Sequence, residues 1–203
     1  MRTSESVEKV MAAYGQTYAA EAGITLRDTP QPLYRLLVLT VLLSARIRTD
    51  AAVGAARALA DAGLRDPRRM AAATWQERVD ALGRGGYRRY DESTATQVGK
   101  GAELATERYG GDLRRLHEAA GADLPALREA LREFPGIGPT GTDIFLREVQ
   151  QVWPDIAPFF DNRALQGAAK AGLPDRPDAL SRAAGDAEPA VLAAALVRLT
   201  LAK

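Results

Sequence analysis

The chain reads as an all-α protein. Apolar residues recur at three- and four-residue intervals through most of its length. No stretch keeps the two-residue alternation of a half-buried strand. Glycine, proline and capping residues interrupt the periodic segments at helix-length intervals. With 203 residues, 46% of them hydrophobic, the chain can bury a core of its own, as one domain or as two small ones. It carries no internal repeat and no low-complexity tract.

The elements follow in order. Val7, Val10, Met11, Tyr14 and Tyr18 share one face of an opening helix, and Thr25 to Gln31 is a loop containing Asp28 and Pro30. Leu33 to Arg46 is apolar nearly all round, which predicts a central buried helix. Thr49 or Asp50 is expected to cap the next helix, whose Val53, Ala56 and Leu59 face inward, and Asp66-Pro67 breaks the chain again. Thr74 and Glu77 have capping-box spacing and open a helix with Trp75, Val79 and Leu82 inside, ended by Gly83, Gly85 and Gly86. Val98, Ala102, Ala105 and Tyr109 mark a helix that stops at Gly110-Gly111, and a short one runs from Leu113 to Ala119. Leu124, Leu127, Leu131 and Phe134 define the next stripe, and Phe145, Val149 and Val152 the one after it. Asp161 to Ala171 is helical and closed by Gly172 and Pro174, and Leu192, Leu196 and Leu199 line the last helix.

Between two of these stripes lies FPGIGPTG, Phe134 to Gly141. Pro135 stops one helix, Gly136 and Gly138 allow positive φ, and Pro139 suits the first position of the next helix, where its missing N–H is not needed. The result is a tight hairpin with free backbone N–H groups at a helix N-terminus, which is a device for holding phosphate. An ordinary interhelical turn is the alternative.

Charge limits the partners. The net charge is +1, so any nucleic-acid surface is local. There is no cysteine, which excludes disulfides, thiolate zinc sites and a cysteine-held iron–sulfur cluster. The first twenty residues carry acids and no long apolar run, so no signal peptide is expected; Leu36 to Ala45 is too short to span a bilayer. A cytoplasmic protein is expected. Asp143, Glu148 and Asp155 have no metal-ligand spacing, and His117, the single histidine, reads as structural or exposed. Asp161 follows the apolar run Ile156 to Phe160 and opens a helix, where it can serve as an N-cap. Gly83 to Tyr90, GRGGYRRY, joins Arg84, Arg88 and Arg89 to two tyrosines as a basic, aromatic patch able to meet phosphates and bases, or as a solvated loop with a packed tyrosine.

FPGIGPTGTDIFL followed about twenty residues on by Asp161 resembles the helix-hairpin-helix DNA glycosylases, the superfamily that includes endonuclease III. The resemblance runs from about Leu33 to Gly172. It implies two helical lobes with a DNA-binding cleft between them: residues 30–120 as a helical-barrel lobe, and 1–29 with 121–203 as the lobe that holds the hairpin and Asp161. It implies that Gly136, Ile137, Gly138, Pro139, Thr140 and Gly141 bind duplex DNA, and that Asp161 is the essential carboxylate, which stabilises an oxocarbenium-like sugar. Asp161-Asn162-Arg163 stands where the family usually has Asp-Thr-His. At Ser44-Ala45-Arg46, with Arg48, Thr49 and Asp50 following, one extra residue sits in the matching segment; Arg46 takes the place from which the family fills the gap left by an extruded base, or is a surface arginine ending a helix. Tyr87 matches the residue that wedges into the duplex, with Arg88 beside it. A monovalent cation, Na+ or K+, on the backbone of Arg132, Phe134 and Ile137 is a further implication.

Members that also cut the strand carry a lysine where this chain has Thr140, and a hydroxyl cannot form the Schiff base. The resemblance therefore implies a monofunctional DNA glycosylase for base excision repair. It would lack lyase chemistry and an iron–sulfur cluster, and would act as a nucleoid-associated monomer on double-stranded DNA with a damaged or mispaired base. The alternative of another class is a non-catalytic helix-hairpin-helix DNA-binding or damage-sensing protein, favoured if apolar side chains such as Phe159 or Phe160 plug the space beside Asp161. A plain helical interaction module would explain the composition but not the hairpin.

Overall fold

The computed structural model describes residues 3–202. Every regular element among them is an α-helix, as the periodicity predicts. None of the described helices is long and apolar enough to cross a membrane. The chain divides into two compact units, Met1–Glu21 with Leu146–Lys203, and Ala22–Phe145. The division does not fall near residue 120: the segment from Leu124 through the hairpin belongs with the unit of α3. The packing explains why, since Phe134 is buried and its ring stacks on that of Tyr109, 6.3 Å between centroids.

The first unit opens with α1 (Thr3–Tyr14) and α2 (Tyr18–Glu21), so the single opening helix predicted through Tyr18 is two. Gly15 and Gln16 close turns onto Met11 and Tyr14. The new helix then starts because its free N–H groups find acceptors: the Thr17 hydroxyl takes the Ala20 N–H, and the Glu148 carboxylate takes those of Tyr18 and Ala19, at 3.2 and 2.8 Å. Glu148 is remote in sequence, so no local pattern announces this break.

In the second unit α3 (Pro30–Ser44) is the predicted central helix, with Leu33, Leu36, Leu39 and Leu42 fully buried. It packs on α4 (Thr49–Asp61), and further on α7 and α8 described next. The expected cap of α4 is not formed: Arg48 takes the N-cap position without a side-chain bond, while Asp50 pairs with it in solvent. α5 (Pro67–Ala72) is capped by Asp66, and α6 (Trp75–Arg84) has the predicted Thr74–Glu77 capping box. Trp75 departs from expectation. Placed at the first position of α6, it is 41% exposed and its indole N–H donates to Thr96 on α7 (Asp91–Tyr109), which gives its polar edge a partner without burial. Gly85 lies so close to Gly54 and Ala55 that a side chain at position 54 or 85 would enter the facing backbone. The unit is completed by α8 (Leu113–Ala120), α9 (Leu124–Arg132) and the first turns of α10 (Pro139–Val149).

The first unit resumes within α10, at Leu146, and continues with α11 (Asn162–Lys170), α12 (Pro177–Ala184) and α13 (Pro189–Leu201). α13 is buried from Leu192 to Val197 and packs on α1 and α11. Gly167 of α11 touches the Leu196 carbonyl so closely that no side chain fits there. Three helices end in one sequence device. At Gly63-Leu64, Gly86-Tyr87 and Gly172-Leu173 a glycine at positive φ is followed by an apolar residue whose N–H reaches back into the last turn.

Glu148 is fully buried, and burial pushes its carboxyl above the ordinary glutamate value of 4.5, partly offset by the Ala19 and Tyr18 N–H groups and by Arg147 and Arg198. A carboxyl raised on folding holds its proton longer in the folded than in the unfolded chain. Its contribution to stability is therefore complete below the unfolded value and is lost as pH rises through the folded one. Thermal melts of wild type and Glu148→Gln between about pH 4 and about pH 8 are expected to show wild type losing stability relative to the variant as pH rises. A constant difference would remove Glu148 from the pH dependence.

Candidate nucleic-acid interface and active site

The hairpin is built from both sides. Phe134 N–H bonds Leu131, Ile137 N–H bonds the Phe134 carbonyl at 3.0 Å, and Thr142 N–H bonds Gly138 to start the ladder of α10. Thr142 also turns its hydroxyl onto the Pro139 carbonyl. Arg128 of α9 bridges to α10 through the Thr142 hydroxyl at 3.1 Å and Asp143 at 2.7 Å. The two helices flanking the turn are thus tied together.

The six hairpin positions divide into two groups. Ile137 and Gly141 face inward. Ile137 is 5% exposed and spends its N–H inside the turn. A Cβ at Gly141 would stand 2.7 Å from the Ser44 hydroxyl, so this glycine lets α10 pack on the end of α3. Gly136, Pro139 and Thr140 are exposed, and Gly138 is partly so. Gly138 and Thr140 N–H bond no acceptor among the described residues. Of the two glycines expected to need positive φ, only Gly136 does, at +89°. A Cβ on Gly138 would meet nothing within 4 Å, so the chain itself does not require glycine there.

Of the three carbonyls implied to hold a monovalent cation, that of Phe134 already accepts the Ile137 N–H, and Glu133 beside them pairs with Arg108. Carbonyls without a carboxylate fit a weakly held monovalent ion, not a divalent one. Among the described residues no group of histidines and acids could hold a metal.

Tyr87 is corrected. It is 0% exposed, and its hydroxyl bonds Thr94 at 3.1 Å. It is the apolar residue after Gly86 in the helix-ending device described above, its N–H bonded to Leu82, and so it packs back into the core where no duplex base can reach it. The signal was in the sequence: Leu82 followed four and five residues on by Gly86 and Tyr87. Arg88 and Arg89 are exposed in the same loop, with the Arg89 guanidinium 5.3 Å from the centre of the Tyr90 ring. Arg46 is exposed in the turn after α3, where Ile47 N–H bonds Ala45.

Asp161 belongs to the other unit. Its Oδ1 caps α11 through the Ala164 N–H at 2.8 Å, and its Oδ2 pairs with Arg147 of α10. Both side chains are nearly inaccessible, at 5% and 4% exposure. The segment leading to Asp161 contains a cis Ala157–Pro158 bond and the buried Phe159 and Phe160. One side chain fixes it: Gln150 accepts the Phe159 N–H at 2.7 Å and donates to the Phe159 and Arg147 carbonyls, both at 2.9 Å. Asn162 and Arg163 are exposed in the first turn of α11. The motif reading missed Arg147 and Gln150 and treated Glu148 only as a metal candidate. Glu148 does have a signal, since it lies at the i+3 position from Phe145 on the apolar face of α10, where a charge must find a buried partner.

No known protein family, curated protein or solved structure matches the chain.

The glycines separate in a melting experiment. Gly136→Ala forces an L residue to positive φ and drives its Cβ to 2.8 Å from Gln97 and 2.9 Å from Val41. It is expected to cost about 1–3 kcal/mol, against less than about 0.5 kcal/mol for Gly138→Ala. Equal losses would contradict this hairpin geometry.

Proposed function

We propose that the chain grips the backbone of duplex DNA through the hairpin and acts as a monofunctional DNA glycosylase. The observation that carries the proposal is the open N-terminus of α10. Gly138 and Thr140 offer N–H groups with no acceptor among the described residues, and a Cβ on Gly138 would meet nothing within 4 Å. Backbone donors at a helix N-terminus bind phosphate oxygens without reading sequence. Exposed Arg46, Arg88 and Arg89 add local positive charge to a chain of net charge +1. A damaged or mispaired base would leave the stack, at an unstacking cost of a few kcal/mol that is smaller for weakly paired bases. Asp161 would stabilise the sugar as the glycosidic bond breaks and positive charge builds on it. Thr140 supplies no amine, so the backbone would stay uncut and borohydride would trap no adduct. A hairpin cation, if held, would orient the turn carbonyls and take no chemical part.

One observation favours a second reading, a non-catalytic DNA-binding or damage-sensing protein. The Asp161 carboxylate is buried against Arg147, and Phe159 and Phe160 are buried in the segment just before it.

Incubation with duplexes that each carry one lesion or mismatch, followed by alkali, decides between the two. The glycosylase reading predicts abasic sites on at least one duplex. It also predicts that Asp161→Asn lowers the single-turnover rate at least about 100-fold while duplex affinity stays within about threefold. No abasic site on any duplex, with binding intact, selects the second reading. An Asp161→Asn protein as fast as wild type leaves Asp161 as a helix cap only.

A further inference from the structure

We infer that Arg147 is a positioning residue for Asp161, fixing the plane of its carboxylate toward the scissile nucleotide; the inference rests on the excision reading above. An ionised carboxylate has about four lone-pair directions. The Ala164 N–H takes one on Oδ1, at 2.8 Å. That bond alone lets the group turn about Cβ–Cγ and exchange its oxygens. Arg147 takes one direction on Oδ2 and removes this freedom. One lone pair on each oxygen is left uncommitted by these two bonds.

The way Arg147 binds is the informative detail. Arginine–carboxylate pairs are frequently bidentate, with two parallel N–H groups meeting the two oxygens. Here a single terminal nitrogen reaches Asp161, and the Arg147 Nε is buried with no acceptor among the described residues. The arginine leaves one of its own donors unsatisfied while it holds one oxygen of Asp161. Its main chain is held as well: Gln150 bonds the Arg147 carbonyl and also both backbone groups of Phe159, two residues before Asp161. Arginine, carboxylate and connecting segment are therefore one tied set. The guanidinium offsets part of the negative charge that a sugar cation would meet, and the set gains a fixed orientation in exchange. Orientation is where a large share of the rate resides when reacting groups must align.

Single-turnover excision tests this, because its rate constant reports the chemistry and its amplitude reports the fraction of competent protein. The probes are duplexes each carrying one mispaired uracil, hypoxanthine, oxidised pyrimidine or alkylated purine. On a duplex that wild type excises, Arg147→Met is expected to slow the rate constant about 100-fold or more, and Arg147→Lys, which keeps a charge without the planar geometry, about tenfold. Duplex affinity is expected to stay within about threefold, with full amplitude for the lysine variant. If the methionine variant does not fold, the lysine variant carries the decision. A wild-type rate constant in either variant, or a loss confined to amplitude, overturns the inference and leaves Arg147 a structural ion pair. A wild type that binds duplex but excises nothing overturns the excision reading and this inference with it.

Discussion

Three polar side chains at the end of α10 are buried, and the unit around them is arranged to satisfy them. Arg147, Glu148 and Gln150 are each at most 3% exposed. A buried charge or amide without partners is strongly destabilising, so each must be met. Glu148 is met by the N-terminus of α2, Arg147 by Asp161, and Gln150 by Phe159 and the Arg147 carbonyl. Arg198 of α13 completes the set. Its guanidinium lies 4.2 Å from the centre of the Tyr18 ring, donates to the Gln16 carbonyl, and pairs with Glu21. The start of the chain and its last helices are joined through these bonds, and removing one partner of the Arg147–Asp161 pair would cost about 3–5 kcal/mol.

The hairpin obeys a different constraint. It is held by apolar anchoring, with Phe134 and Ile137 buried, and by Arg128 across its flanking helices. That scaffold leaves the outward edge chemically open, since a Cβ on Gly138 would meet nothing within 4 Å and the Thr140 hydroxyl and N–H have no partner among the described residues. Gly136 and Gly141 are glycine for the fold, the first for its positive φ and the second for its contact with Ser44. Gly138 answers to no such need, since a Cβ there would meet nothing within 4 Å.

The helical class and most helix positions were legible in the sequence because each helix carries its own stripe and its own punctuation. Thr74 and Glu77 close their box locally, and Leu33 to Leu42 announce a buried helix by composition alone. What escaped depends on partners far away in the chain. The break between α1 and α2 needs Glu148, and the ion pair of Asp161 needs Arg147. Tyr87 escaped for another reason. Its surroundings look like a basic loop, but the pairing of Gly86 with an apolar residue marks a helix end that folds inward. The turn between α9 and α10 was legible from Pro135, Gly136 and Pro139, but not the ordinary φ of Gly138 or the inward facing of Ile137 and Gly141. Asp161 was legible as a helix cap, and its cap bond to Ala164 is present.

The claim that the hairpin edge is the phosphate-binding surface can be read at single amides. Protein labelled with 15N, titrated with a short undamaged duplex at low and at high salt, reports each backbone N–H separately. The account predicts that Gly138 and Thr140 shift most within the hairpin, that Ile137, whose N–H is bonded to Phe134, shifts little, and that added salt reverses the changes. Saturable binding that leaves the Gly138 and Thr140 amides unmoved would contradict it.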